Sequence, residues 1–441
     1  MSVAVWDITS NCNLRCKHCY NGEKYFEHEI EDLSFSESIN LVNLLSSSGI
    51  RDIHLLGGEP LLKENLFDII TQIGKMGMST SITTNGLLLN SSNIKKIISH
   101  NISMIFISLD GGSREVNDLI RGPGTFDKVV ENTRLLVREI QNAESPIEVV
   151  LGFTVSSYNL KDVTKVVDLC KSVGVNAISV TTLMKCGSAV DNWEEIHYEN
   201  SEMFDAIENM ARHASLVNPS MIIHIDARPF VVWLLRKKYS VNFRYSTSFT
   251  KCWFLKGGVY IQANGQVHPC GLHAMEIGKD MQNKGYFNSS DSVNIRNVNS
   301  LSDIKSSKYY RDFSASLRKL EKKSYHIMCK SCPVANDCYP CPFQFLNGVP
   351  DCDWAFSRYD EFILTIKNIK VVRKVEVNLS GANISNFDKI VYNTLTIGDT
   401  IEKIASEIGM MELKSINNLK ILEALRNLEK RFFVELDNGG K

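Results

Sequence analysis

The chain lacks any net charge to speak of: 49 Lys and Arg stand against 50 Asp and Glu, leaving −1 at pH 7. No whole-chain electrostatic footprint for nucleic acid or an anionic membrane results. Long apolar runs are missing too. The densest, Phe230–Leu235, falls far short of the ~20 residues that span a bilayer. The opening MSVAVWDITSNC has neither the basic flank nor the apolar core of a signal peptide. There is no internal repeat and no low-complexity tract. These absences predict a cytoplasmic protein with no nucleic-acid partner and no membrane partner. What remains is a chain of 441 residues with ordinary globular composition, long enough for two or three domains.

Cysteine is the exception to this ordinariness. Twelve are present, and they are clustered. Three lie within Cys12–Cys19, Cys252 and Cys270 flank a hairpin, and five lie within Cys329–Cys352; only Cys170 and Cys186 stand apart. A reducing compartment disfavours structural disulfides, so metal or redox chemistry is the default reading.

Residues 1–185 alternate strand and helix signals. Strands are predicted at Val3–Ile8, Asp52–Leu56, Thr80–Thr83, Ser103–Leu109, Ile147–Val155 and Ala177–Val180. Helices are predicted at Ser34–Leu45, Leu66–Ile73, Asn93–Ile98, Phe126–Val137 and Val163–Val173. That is roughly six βα units and argues for a parallel sheet covered by helices, with a site at the carboxyl ends of its strands. Residues 186–250 read as a mixed, mostly helical bridge that includes Phe204–Ala214. Residues 251–355 form a cysteine-rich region containing a charged helix near Ser302–Leu320. Residues 370–441 form a small module: helices around Ile384–Val391, Ile401–Ile408 and Leu419–Leu428, then a strand at Phe432–Leu436, which together predict a winged-helix-like unit.

Cys12-Asn-Leu-Arg-Cys16-Lys-His-Cys19 follows the first strand. Three thiolates on one loop can hold three corners of a cubane and leave one iron open for an outside ligand. Soft thiolates suit iron–sulfur or zinc, but three cysteines with no nearby fourth ligand make a poor closed zinc site. This C-x3-C-x2-C spacing resembles the radical S-adenosylmethionine (SAM) superfamily. The resemblance covers residues 1–185 and implies a partial (βα)6 TIM-like barrel, with a [4Fe–4S] cluster on Cys12, Cys16 and Cys19. It extends to Gly57-Gly58-Glu59-Pro60 after the second strand, like the segment that meets the SAM amino group in that family. It also extends to Asn85 after the third strand, Ser108 and Asp110 at the end of the fourth, Arg121, and Thr154 on the fifth. His18 occupies the family's aromatic position, where its backbone meets adenine. All of these are expected SAM contacts.

The later cysteines run Cys252-x17-Cys270, then Cys329-x2-Cys332-x5-Cys338-x2-Cys341-x10-Cys352. Asn264-Gly265 is a strong hairpin signal that would bring Cys252 and Cys270 together. By the residues alone, a zinc-ribbon pair is the alternative. The arrangement resembles the SPASM domain, an extension that holds two auxiliary [4Fe–4S] clusters. That resemblance assigns Cys252, Cys270 and Cys341 to the first, and Cys329, Cys332, Cys338 and Cys352 to the second. The two-residue gap between Cys338 and Cys341 departs from the usual three.

SPASM proteins mostly act on peptides or proteins. The resemblance therefore implies a peptide maturase: a 5′-deoxyadenosyl radical removes hydrogen from a ribosomally synthesised precursor peptide, which closes a thioether or carbon–carbon crosslink. A flavodoxin or ferredoxin would donate electrons. Epimerisation is an alternative, with Cys186 as candidate hydrogen donor, although a buried inert thiol is the plainer reading of that residue; Cys170 reads as core. A sulfatase-maturase role is disfavoured, because Gly271 rather than an Asp follows Cys270. Residues 376–436 resemble a leader-peptide recognition unit, which pairs with an extended leader by β-addition. DNA binding by this module finds little support in eleven basic against ten acidic residues over 370–441. Two further classes remain: a non-catalytic iron–sulfur electron-transfer protein and a DNA-binding regulator.

Overall fold

A computed structural model describes residues 3–22, 31–245, 254, 257–271 and 293–321, with short pieces beyond, among them 338, 352, 354–355, 370–373, 391–392, 403–404 and 434–437. The chain divides into two compact units, residues 1–352 and 353–441.

In the first unit the strands are β1 (Val3–Thr9), β2 (Asp52–Gly57), β3 (Ser79–Thr84), β4 (Ile102–Ser108), β5 (Glu148–Thr154), β6 (Ala177–Thr181), β7 (Ile222–Ile225) and β8 (Asn242–Tyr245). They pair in chain order, every neighbour parallel. Parallel neighbours need long crossovers. The first five of these carry six helices, all but one of them marked by the sequence periodicity: α1 (Phe35–Ser47), α2 (Leu66–Lys75), α3 (Ser91–Ser99), α4 (Arg114–Arg121), α5 (Thr125–Asn142) and α6 (Val163–Val173). The exception is α4, whose polar REVNDLIR hides its helical period. Ser34 caps α1 in a full capping box with Glu37, which satisfies first-turn amides.

Two findings depart from the expected layout. The bridge after residue 186 contributes strands β7 and β8 as well as helices α7 (Ser188–Asp191), α8 (Trp193–Ile196), α9 (Asn200–Val217) and α10 (Pro229–Lys238). The parallel array therefore reaches eight strands instead of six. Strands of four residues, with Asn242 and Arg244 in the second, leave too short a pattern to read. The predicted hairpin also forms, as β9 (Val259–Ile261) and β10 (Gln266–His268) with Gly265 at φ +83°. It is no separate layer. β9 pairs parallel with β1, Val5 opposite Tyr260, and β11 (Val293–Asn294) pairs with β10. The result among the described residues is one eleven-stranded sheet. The charged segment near residue 310 is two helices, α11 (Leu301–Ser306) and α12 (Lys308–Glu321).

The core lies between the sheet's outer face and the helices. Trp6 and Ile8 on β1, Ile53 and Leu55 on β2, and Ile105 and Ile107 on β4 are fully buried against α1, α2 and α5 residues such as Leu41, Ile69 and Leu136. The alternate residues, among them Ser81 and Thr83 on β3, Ser108 on β4, Gly152 and Thr154 on β5, and Ser179 and Thr181 on β6, are half-buried and small or polar. Strand period two thus gives the sheet an apolar outside and a polar inside.

In the second unit, β12 (Lys370–Arg373) and β13 (Val434–Asp437) form an antiparallel pair. Val391, Tyr392 and Ile404 are buried. The three predicted helices lie largely outside the described residues.

Candidate functional site

A cavity of about 360 Å3 opens at the carboxyl ends of the strands. Cys12, Cys16 and Cys19 line one end of it, with Leu14, His18 and Tyr20 from the same loop. Gly57, Gly58, Asn85, Ser108, Arg121, Gly152 and Thr154 line the rest, so most of the expected SAM contacts come together. Sequence reasoning missed the far wall: Ser179 and Thr181 on β6, then Thr182, Leu183 and Met184. The alternation Ser179/Thr181 was the only available signal.

The loop is shaped by its surroundings. Gly58 N donates to Thr9 O and Glu59 N to Asn11 O, both at 2.7 Å. A Cβ on Gly58 would sit 2.0 Å from Asn11 O, and one on Gly57 2.3 Å from Thr9 O. The glycines are therefore required by the approach of two backbones, β2's end against the entry to the cysteine loop. Lys17 N bonds Ile120 O at the end of α4, and Ser188 N bonds Cys19 O at 2.9 Å. Gly187 lies so close that a Cβ there would stand 2.4 Å from Cys19 O.

Three expected contacts stand behind the wall rather than on it. Glu59 is fully buried; it accepts from Asn85 N (2.7 Å), Thr84 Oγ1 (2.7 Å) and Leu61 N (3.1 Å). Burial pushes its carboxyl up, and these donors oppose that. Pro60 is buried as the first residue of a short 3-10 turn. Asp110 is fully buried, accepts from Thr154 N at 2.7 Å, and faces both Arg121 Nε (2.5 Å) and His18 Nε2 (3.2 Å). Glu59 and Asp110 thus hold the lining residues Asn85, Arg121 and Thr154 in place. Asn85 Nδ2 in turn donates to Asn13 of the cysteine loop.

Burial dominates the electrostatics of the cysteine loop. Burial raises the thiols of Cys12 and Cys19 and pushes Cys16 up to about 12, opposed at Cys16 by Arg121, whose Nη1 is 3.8 Å from its Sγ. Thiols that burial holds protonated give up their protons to a bound metal. No three His, Cys, Asp or Glu side chains among the described residues converge as for a single metal ion. His18 Nδ1 is buried without a hydrogen-bond partner among the described residues, a polar atom left for an occupant of the cavity.

Other expected residues fall elsewhere. Cys186 is 1% exposed and is not among the cavity's lining residues. Cys170 is buried in α6, and burial pushes its thiol up to about 12, as a core residue requires. Cys270, Cys338 and Cys352 are half-buried. Cys252, Cys329, Cys332 and Cys341 lie outside the described residues. No described helix is long and apolar enough to cross a membrane.

A thiol-lined cavity at the mouth of a parallel αβ sheet is where a three-cysteine loop can hold an iron–sulfur cluster. Residues 6–170 match the radical SAM superfamily, and residues 252–333 match SPASM, an iron–sulfur cluster-binding domain. The chain carries both domains, and with them a SAM-binding [4Fe–4S] cluster and auxiliary iron–sulfur clusters.

Among curated relatives, the AdoMet-dependent heme synthase of Oleidesulfovibrio alaskensis is 24% identical over 76% of this chain and 81% of its own length. The Fe-coproporphyrin III synthase of Methanosarcina barkeri is 35% identical over 42% of this chain and 45% of its own. The mycofactocin maturase of Mycobacterium ulcerans is 26% identical over 44% and 50%. Among solved structures, anSMEcpe with bound AdoMet and a Cp18Cys peptide has a TM-score of 0.55 at 17% identity, covering 82% of this chain and 95% of that one. Streptococcus suis SuiB bound to its precursor peptide SuiA has a TM-score of 0.52 at 14% identity, covering 79% and 74%. These two show a shared fold.

Proposed function

We propose that this chain is a radical SAM peptide maturase that closes an intramolecular thioether or carbon–carbon crosslink in a ribosomally made precursor. Loaded with a cluster and SAM, the cavity would supply radical removal of a hydrogen atom from the substrate, and an auxiliary cluster would supply an acceptor for the electron left on the product. The chain's own residues do the positioning. Cys12, Cys16 and Cys19 hold the cluster. Gly57, Gly58, Asn85, Ser108, Arg121, Thr154 and His18 surround SAM, with Glu59, Pro60 and Asp110 as their supports. Cys252, Cys270 and Cys341 would hold one auxiliary cluster, and Cys329, Cys332, Cys338 and Cys352 the other.

The observation that carries the peptide reading is the fold shared with anSMEcpe and SuiB, whose structures hold a Cp18Cys peptide and the precursor peptide SuiA; residues 370–441 would recognise the leader. An external flavodoxin or ferredoxin would supply the electrons.

A second reading, SAM-dependent tailoring of an iron porphyrin, rests on the heme synthase relatives, one of which aligns over 76% of the chain. The test presents cluster-loaded protein, SAM and reductant with a cysteine-containing precursor peptide or with iron coproporphyrin. Peptide-dependent 5′-deoxyadenosine, with loss of two hydrogens from the peptide, is expected. Turnover of the porphyrin alone would replace the peptide reading. Mass retention with a stereochemical change would indicate epimerisation. No 5′-deoxyadenosine at all would leave an electron-transfer or regulatory protein.

A further inference from the structure

Asp7 points from β1 into the polar interior and is fully buried. Its carboxylate accepts hydrogen bonds from two tyrosine hydroxyls. Tyr20, which lines the cavity and directly follows Cys19, donates to Oδ1 at 3.0 Å. Tyr260 on β9 donates to Oδ2. One carboxylate therefore ties the cysteine loop to the hairpin that leads to Cys270, 253 residues away in sequence from Asp7 at the level of Tyr260.

The contact chain continues. Tyr260 and His268 of β10 have ring centroids 6.3 Å apart, and His268 Nδ1 is 2.8 Å from Tyr309 Oη. His268 stands two residues before Cys270 in the chain, and Tyr20 directly follows Cys19, so the contact chain ends beside a cluster-site cysteine at both ends.

We propose that Asp7 is a positioning residue that couples the SAM-binding cluster to the Cys270 cluster site, with Tyr260 setting how strongly its charge acts on the cysteine loop. The inference concerns the clusters alone and is independent of whether the substrate is a peptide or a porphyrin. The signs follow from charge. Without the Tyr260 hydroxyl, the Asp7 charge is less compensated and disfavours an added electron on the nearby cluster. Without the Asp7 charge, an added electron is favoured.

The test is potentiometric titration of the full-length, cluster-loaded protein, read by the electron paramagnetic resonance signal that SAM perturbs. Tyr260→Phe should shift the reduction equilibrium of that cluster about tenfold toward the oxidised form, ~59 mV for one electron. Asp7→Asn should shift it by a similar factor the opposite way, and the double variant should match Asp7→Asn. Iron content should equal that of the unaltered protein. Should Asp7→Asn fail to fold, Tyr260→Phe, which removes a single oxygen, still decides. An unchanged potential in Tyr260→Phe at full iron content, or shifts of the same sign in both variants, overturns the proposal.

Discussion

At the scale of single residues, the site depends on atoms that never touch a ligand. Gly58→Ala would drive a methyl group into Asn11 O. Backbone cannot swing aside as a side chain does, so a loss of about 1–3 kcal/mol is expected, seen as a lower Tm together with reduced iron after reconstitution. Glu59→Gln would set an amide NH2 against the donors that its carboxylate now accepts. A cost of about 1–3 kcal/mol follows, with a raised KM for SAM as Asn85 loosens. Histidine sets a pH dependence. Burial lowers His54 and His268 to about 4, below the ~6.5 of the unfolded chain. The unfolded chain then binds more protons between about pH 4 and 6.5, so stability rises with pH across that window. The slope reaches about 2.7 kcal/mol per unit when both groups titrate. Denaturant midpoints measured from pH 4 to 7 should show this rise, and His268→Gln should reduce it to the part that His54 contributes. The cysteine loop and most of the cavity wall were legible as residues because their spacing is itself the chemistry. The roles of Glu59 and Asp110 were not, because an acidic residue in a motif looks the same whether it faces a ligand or the amides behind it.

At the scale of elements, the segment from Gly187 through α7 and α8 acts as a brace. Asn192 Nδ2 reaches Lys17 O at 3.3 Å, and Lys17 Nζ pairs with Glu195 in α8. Gly187→Ala would meet Cys19 O and Tyr20 O and force a side chain to φ +54°. Less cluster bound at equal protein recovery is the expected outcome, measured as iron per chain. The brace was invisible in the sequence because its partners lie some 170 positions away. The helices α1, α2, α3, α5 and α6 were legible because each shows its apolar face to the sheet. Strand β7 and β8 were not, since four residues carry too little period. The hairpin turn was read from Asn264-Gly265, but its pairing with β1 is a long-range choice that no local pattern encodes.

At the scale of the whole molecule, replacing Cys12, Cys16 and Cys19 together with Ala should remove about four irons and abolish 5′-deoxyadenosine, while the auxiliary clusters remain. Unchanged SAM turnover would refute the assignment. The cysteine loop sits near the beginning of the chain, yet its shape depends on Ser188, Asn192 and Glu195, and Asp7 is bonded by Tyr260. During synthesis the three thiols emerge well before Ser188, Asn192, Glu195 and Tyr260, so the loop can take its final shape only once those residues have been made, and its thiols stand uncovered in the interval.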